Sequence, residues 1–146
     1  MEPAHLGDLA FGLTLFAVTG SPTAGRVAVF AATVLMSSLV LLGFLVLTGS
    51  AAFFVGRAEP GELSFHSILL LAAYPADIFT GAPRLLVHTA IPAAFIATVP
   101  ATLVDSFDPW LAAALVGAAA LFAGAGWLAF TLGLRRYTSG SVWTNA

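Results

Sequence analysis

The chain has 146 residues, of which 60% are hydrophobic and 8% are charged, and its formal net charge is −2. Soluble domains carry roughly 25% charged residues, so this composition indicates a membrane protein and argues against a soluble one. Lysine and cysteine are absent. Their absence argues against the basic face of a nucleic-acid-binding protein and excludes disulfides, thiolate chemistry and cysteine-bound metals.

The first apolar segment spans roughly residues 6–20 and contains one acidic residue, Asp8. A turn-forming stretch follows it, at residues 20–25. Alone, so short a segment is either a partial span or a helix that lies in the membrane interface. The residues before it lack the basic region of a signal peptide, so we expect insertion to depend on the spans themselves.

The second segment is an uncharged run of thirty residues, Val27 to Gly56, and we predict a span over roughly 27–55. As a helix this run would measure about 45 Å, which exceeds the roughly 30 Å thickness of the hydrocarbon core. We therefore expect the helix to tilt or to place its ends in the interface. The third predicted span, over roughly 63–79, is interrupted by Pro75, which either kinks the helix or ends it.

The fourth apolar segment contains twenty uncharged residues, Leu85 to Val104, but prolines interrupt it at positions 92 and 100. Each proline removes an intrahelical hydrogen bond, and the lipid core offers no water to replace it. We predict two short helices over roughly 84–104, broken near Pro92 or Pro100, that enter the membrane and turn back. Such a re-entrant pair must be covered by protein or line a water-filled cavity.

The last span covers roughly residues 109–134 and is followed by Arg135 and Arg136. Arginines beside the end of a span favour the cytoplasmic side, so we predict a cytoplasmic C-terminus, with the polar tail 137–146 outside the membrane. Counting back through the spans puts the loop containing Arg57 inside, Arg26 outside, and the re-entrant pair on the outer face. The predicted fold is an all-α, polytopic transmembrane helical bundle with a broken re-entrant helix pair before the last span.

Several residues of the proline-rich region are candidates for a gate. We predict an architectural role for Pro92 and Pro100, which would make the re-entrant turn. Asp77 is functional if it lies at membrane depth, or else a solvated residue that pairs with Arg84. His88 could change charge near neutral pH, or hydrogen-bond within a loop. For Asp77 and His88 we favour the structural alternative. The candidate gate residues are Tyr74, Pro75, Asp77, Arg84, His88, Pro92 and Pro100.

Small residues in the last span form a second candidate surface. They share one helical face and permit close helix packing, for which we favour a partner helix within the chain over a dimer interface. The residues are Ala113, Gly117, Ala120 and Gly124. In the second segment, hydroxyl side chains are expected to bond across helices or line a cavity, with bonding favoured. These are Ser37, Ser38, Thr48 and Ser50.

Sites for catalysis or metal binding are not evident in the sequence. It has no Ser-His-Asp order, metal-ligand cluster or carboxylate pair with convincing spacing, and its three histidines are scattered. We therefore expect neither a cofactor nor an enzyme, and we disfavour the alternative of an enzyme acting on lipid.

The chain resembles a known family in a run of motifs: Tyr-Pro-x-x-Ile-Phe from residue 74, Arg-Leu-Leu from 84, Ile-Pro-x-Ala-Phe from 91, Val-Pro-Ala from 99, and Gly-Leu-Arg-Arg-Tyr-Thr-Ser from 133. With its opening Leu-Gly-Asp-Leu-Ala-Phe-Gly-Leu, the chain is similar over nearly its whole length to ABC-2 type permeases. Within these it resembles a subfamily of uncharacterised bacterial exporter permeases. Members usually have six spans, and this chain begins at what resembles the third. We therefore expect a truncated permease, the C-terminal two-thirds only, or a half that assembles with another chain.

The resemblance implies a multi-pass permease in the bacterial inner membrane that moves a substrate out of the cytoplasm. ATP would be hydrolysed by a cytoplasmic ABC ATPase subunit, because this chain lacks the glycine-rich phosphate-binding motif. The other expected partners are a second permease copy or a homologous permease, and membrane lipid, with no nucleic acid. The alternative is a truncated fragment or a non-transport membrane scaffold or assembly subunit.

Overall fold

A computed structural model describes residues 3–19, 23–55, 59–74, 80–81 and 92–136. Seven helices are found in these ranges and no strands: α1 (Pro3–Thr19), α2 (Ala24–Ser50), α3 (Ala52–Val55), α4 (Glu59–Ala72), α5 (Ala93–Ile96), α6 (Thr98–Asp105) and α7 (Pro109–Arg136). Within the described ranges, two apolar helical stretches are long enough to cross a membrane, at Ala24–Phe54 and Pro109–Arg135. The predicted all-α, membrane-helical class is confirmed.

The two long helices both begin at a capping side chain. The Thr23 hydroxyl accepts a hydrogen bond from the Arg26 amide at 3.4 Å, at the start of α2. At the start of α7, the Asp108 carboxylate accepts from the Trp110 amide at 2.8 Å. Pro109 then occupies the first helical position, where its missing N–H is harmless. Both caps satisfy amides that have no partner inside the helix.

Helices α2 and α7 run parallel to one another. Thr33 and Met36 line the same small cavity as Ala112 and Leu115. Further along, the rings of Phe44 and Phe122 meet at 6.1 Å, and those of Phe53 and Phe130 at 5.9 Å. Residue numbers therefore rise together along both helices. Their carboxyl ends lie at the same end of the bundle, as do the Arg26 end of α2 and the Asp108 end of α7.

Glycines allow these two helices to touch backbone to backbone. A Cβ placed on Gly43 would lie 2.6 Å from the Ala123 amide nitrogen, and one on Gly126 would lie 2.6 Å from the Gly43 carbonyl oxygen. On α7 the contact face recurs every seven residues, which is the repeat of a left-handed helix pair. Its members, all buried or half-buried, are Ala112, Ala119, Gly126 and Gly133.

Helix α4 differs from the predicted span 63–79. It begins at Glu59 and ends at Ala72, so it does not continue through Pro75, and residues 75–79 lie outside the described part of the chain. Its fourteen residues measure about 21 Å, less than the thickness of the hydrocarbon core. A Cβ on Gly61 would lie 3.2 Å from the Gly49 Cα, so α4 begins beside the carboxyl end of α2.

Helix α1 occupies the first predicted segment and packs against α2 through a stacked pair, Phe16 and Phe30, with ring centroids 4.6 Å apart. Elsewhere it contributes little to the core, since Phe11 and Val18 are 69% and 78% exposed. Seventeen residues measure about 25 Å. This length leaves both alternatives open, a partial span or an interfacial helix.

Candidate functional site

The prolines at 92 and 100 shape a broken helix pair, α5 and α6, separated at Ala97, where φ is −121° and ψ is −63°. The ring of Pro100 is incompatible with a helical carbonyl four residues earlier, and Ile96, at that position, is the last residue of α5. In α6 Pro100 lies in the first turn, where an N–H is not needed. Pro92 caps α5 and is less than 2% exposed. The break therefore follows from Pro100.

A hydroxyl from α2 bonds to the backbone beside this break. Ser37, 8% exposed, donates a hydrogen bond to the Phe95 carbonyl at 3.2 Å. A break in a helix at membrane depth leaves carbonyls whose bonds must come from neighbouring protein. The predicted cross-helix bonding is confirmed for Ser37. It is wrong for the other three hydroxyls, which donate to carbonyls of their own helix: Ser38, Thr48 and Ser50.

The broken pair begins near the middle of α2 and ends at its amino end. Ser37 lies thirteen residues from both Ala24 and Ser50, which is about 20 Å from either end of α2. Helix α6 ends at Asp105, which lines a cleft together with Arg26. The described part of the pair therefore covers about half the length of α2. The preceding segment, needed for a re-entrant path, lies outside the described residues, so re-entry stays a prediction.

The cleft at the Arg26 end has a volume of about 310 Å³ and lies between α1, α2 and α6. Its polar side chains are Arg26, Thr33 and Asp105. The Thr33 hydroxyl already has a hydrogen-bond partner, since it donates to the Phe30 carbonyl at 2.9 Å. The Nε of Arg26 is buried and has no hydrogen-bond partner in the described structure. In the sequence Arg26 served only as a marker of topology, and we did not predict that it shares a cleft with Asp105.

Most of the predicted gate residues lie outside the described part of the chain. Pro75, Asp77, Arg84 and His88 are outside the described residues. Tyr74 follows the end of α4 and is 57% exposed. Of the other candidate gate residues in the described ranges, Pro92 precedes α5 and Pro100 lies in α6. Arg135 is exposed and Arg136 ends α7, and their effect on topology stays a prediction. Among described residues, no three His, Cys, Asp or Glu side chains converge as metal ligands.

The small-residue face predicted to pack within the chain is exposed. All four members, Ala113, Gly117, Ala120 and Gly124, are exposed, and nothing lies within 4 Å of a Cβ built on either glycine. The described residues leave this face exposed, so packing within the chain stays a prediction. Helix α7 contacts α2 through a neighbouring face. Its members Ala112 and Ala119 each precede a residue of the predicted face by one position, which is about 100° around the helix. The seven-residue spacing of small side chains was the signal that could have found it. Contact with a second copy stays a prediction.

The Ser37 hydrogen bond gives a stability prediction. We expect Ser37→Ala to lower the free energy of unfolding by about 1–3 kcal/mol, because the Phe95 carbonyl loses a donor in a buried site. Equilibrium unfolding in mixed detergent micelles measures this. Ser38→Ala is the matched control, since its hydroxyl is exposed and bonds to Val34 of its own helix. Equal effects of the two substitutions would contradict the assigned role of Ser37.

Comparison with known proteins identifies one family. No curated protein and no solved structure matches the chain. The profile of one family, described as ABC-2 family transporter protein, matches residues 2–141, nearly the whole chain. A chain with two long apolar helices and a proline-broken pair packed against them therefore belongs to the ABC-2 family of transporter proteins.

Proposed function

We propose that this transport-related membrane permease is the transmembrane subunit of an ATP-driven exporter in the bacterial inner membrane. The observation that carries the proposal is the broken helix pair α5–α6, which begins beside Ser37, near the middle of α2, in a chain that belongs to a transporter family. A break at membrane depth needs protein or water to satisfy its backbone, and both are present along a transport pathway. The pair is the proposed outer gate of that pathway.

The parallel arrangement of α2 and α7 supports one orientation. The carboxyl end of α7 carries Arg135 and Arg136, and the loop that contains Arg57 follows α3 at the same end. With Arg84 assigned to the same side as Arg26, three arginines against two favour a cytoplasmic location for the first end. In this orientation the break at Ala97 opens toward the outer face. The C-terminus is then cytoplasmic, where an ATPase is accessible.

A separate cytoplasmic ABC ATPase is the proposed source of energy, and a second permease copy or a homologous permease completes the pathway. Nucleotide-driven approach of two ATPases would rock the helical bundles apart and open a path past α5 and α6. Binding of ATP can shift such an equilibrium only by its differential affinity for the two states. The permease contributes no phosphate-binding loop, since its sequence contains no Gly-x-x-x-x-Gly-Lys-Ser/Thr motif.

Purification of the tagged chain from its native membranes tests this proposal. We expect a P-loop ATPase to co-purify and its rate of ATP hydrolysis to change when the permease is present in proteoliposomes. An ATPase with its phosphate-binding lysine replaced is the control and should bind the permease without hydrolysis. If the chain purifies without an ATPase, or if hydrolysis is the same with and without it, a membrane scaffold or assembly subunit becomes the better interpretation.

A further inference from the structure

We propose that the cleft between α1, α2 and α6 binds a zwitterionic amphiphile whose headgroup carries a phosphate and a primary ammonium group. Arg26 would hold the phosphate and Asp105 the ammonium. The site lies at the amino end of α2, at the opposite end of the bundle from Arg135, and the inference does not rest on the proposed export function.

The unsatisfied hydrogen-bond donor of Arg26 indicates an anionic ligand. Its Nε is buried without a hydrogen-bond partner, although a buried donor without a partner is costly. No ion pair joins the described side chains of Arg26 and Asp105 across the cleft. A guanidinium presents a planar fork of donors that matches phosphate oxygens, and such charge-assisted bonds are among the strongest in proteins. A bound phosphate would supply the acceptor that Nε lacks.

The position of Asp105 indicates that the ligand also carries a positive charge. Asp105 is the last residue of α6, so its carboxylate lies at the negative end of the helix dipole, where a cation is favoured and an anion is not. A ligand with phosphate alone would place its charge near this carboxylate. A primary ammonium group beside the phosphate complements both side chains at once.

The remaining walls indicate that the ligand has an apolar part. The apolar lining of the cleft includes Leu15, Phe16, Phe30, Val34 and Val104. A volume of about 310 Å³ is at the small end of ligand pockets, and holds a headgroup with the first part of an acyl chain. Arg26 begins the uncharged run of α2, so the cleft lies where headgroups meet the hydrocarbon.

Binding of defined lipids to the purified full chain tests the inference, with native mass spectrometry as the readout. We expect phosphatidylethanolamine to bind and Arg26→Gln to weaken that binding by about tenfold or more, as loss of a charged hydrogen bond predicts. Asp105→Asn should weaken binding of phosphatidylethanolamine but not of phosphatidylglycerol, which lacks the ammonium group. Arg135→Gln, at the opposite end of the bundle, should change neither.

A variant that fills the cleft and the free headgroup provide two further measurements. Ala101→Trp fills the cleft from α6 and leaves both charges, so it should abolish binding even if Arg26→Gln fails to fold, as judged by circular dichroism. O-phosphoethanolamine, the free headgroup, should bind far more weakly than the lipid. If the wild-type chain and Ala101→Trp bind phosphatidylethanolamine equally, the lipid does not occupy the cleft and the inference is overturned. Arg26 would then only extend its guanidinium to water. If the free headgroup binds as tightly as the lipid, the inference that the ligand has an apolar part is wrong.

Discussion

Gly43→Ala is expected to disrupt the packing of α2 on α7 and to lower the free energy of unfolding by about 1–3 kcal/mol. The new Cβ would meet the backbone of Phe122 and would lie 2.6 Å from the Ala123 nitrogen. Backbone atoms cannot rotate away as the end of a flexible side chain can, so the helices must separate. Gly126→Ala should act in the same way, because its Cβ would lie 2.6 Å from the Gly43 carbonyl oxygen.

Two glycines in the same helices provide the controls. Gly49 in α2 and Gly124 in α7 have nothing within 4 Å of a built Cβ. Alanine is the better helix former by roughly 0.5–1 kcal/mol, so Gly49→Ala and Gly124→Ala should be neutral or stabilising. Equilibrium unfolding in mixed micelles gives all four values. If Gly43→Ala and Gly124→Ala changed stability in the same direction, the close approach of α2 and α7 would be refuted.

Replacing Pro92 and Pro100 together with alanine is expected to impair export while leaving membrane insertion intact. Without the ring of Pro100, the carbonyl of Ile96 can accept an ordinary helical bond and α5 can join α6. The helix-breaking effect of proline is about 3 kcal/mol, so the balance between broken and continuous forms shifts on the order of a hundredfold.

This double variant is measured in two ways. Amide hydrogen exchange should show increased protection across residues 93–105, and transport-coupled ATP hydrolysis of the reconstituted complex should fall. Pro109→Ala is the control, because Pro109 occupies the first position of α7 and removing its ring leaves the helix unchanged. Unchanged coupling in a variant with a continuous α5–α6 helix would count against the gate but would leave the fold untouched.

The long spans were predictable from the sequence because an uncharged run is a local property. The predicted limits 27–55 and 109–134 correspond to α2 with α3 and to α7, within three residues at either end. The helix break was predictable too, since proline acts on its own backbone. The position of the break was not predicted, because the sequence left open whether Pro92 or Pro100 causes it. In the structure it lies at Ala97.

The face of α7 that contacts α2 was not predicted, for a physical reason. Small residues occupy two neighbouring faces of the helix, and only the partner decides which of them is buried. Gly126 is buried because Gly43 lies against it, whereas Gly124, two positions away, is exposed. The Arg26 cleft was missed for the same reason, since its charges come from separate helices that only the fold brings together.

Labelling of single cysteines by a membrane-impermeant maleimide tests the topology most directly, because the natural sequence contains no cysteine to interfere. The account predicts that Thr23→Cys, Ala82→Cys and Ser106→Cys react from the outside of intact cells. Ala58→Cys and Ser139→Cys should react only after the membrane is permeabilised. Reaction of Ala82→Cys and Ser106→Cys from opposite faces would mean that the segment between them crosses the membrane, which contradicts the re-entrant gate.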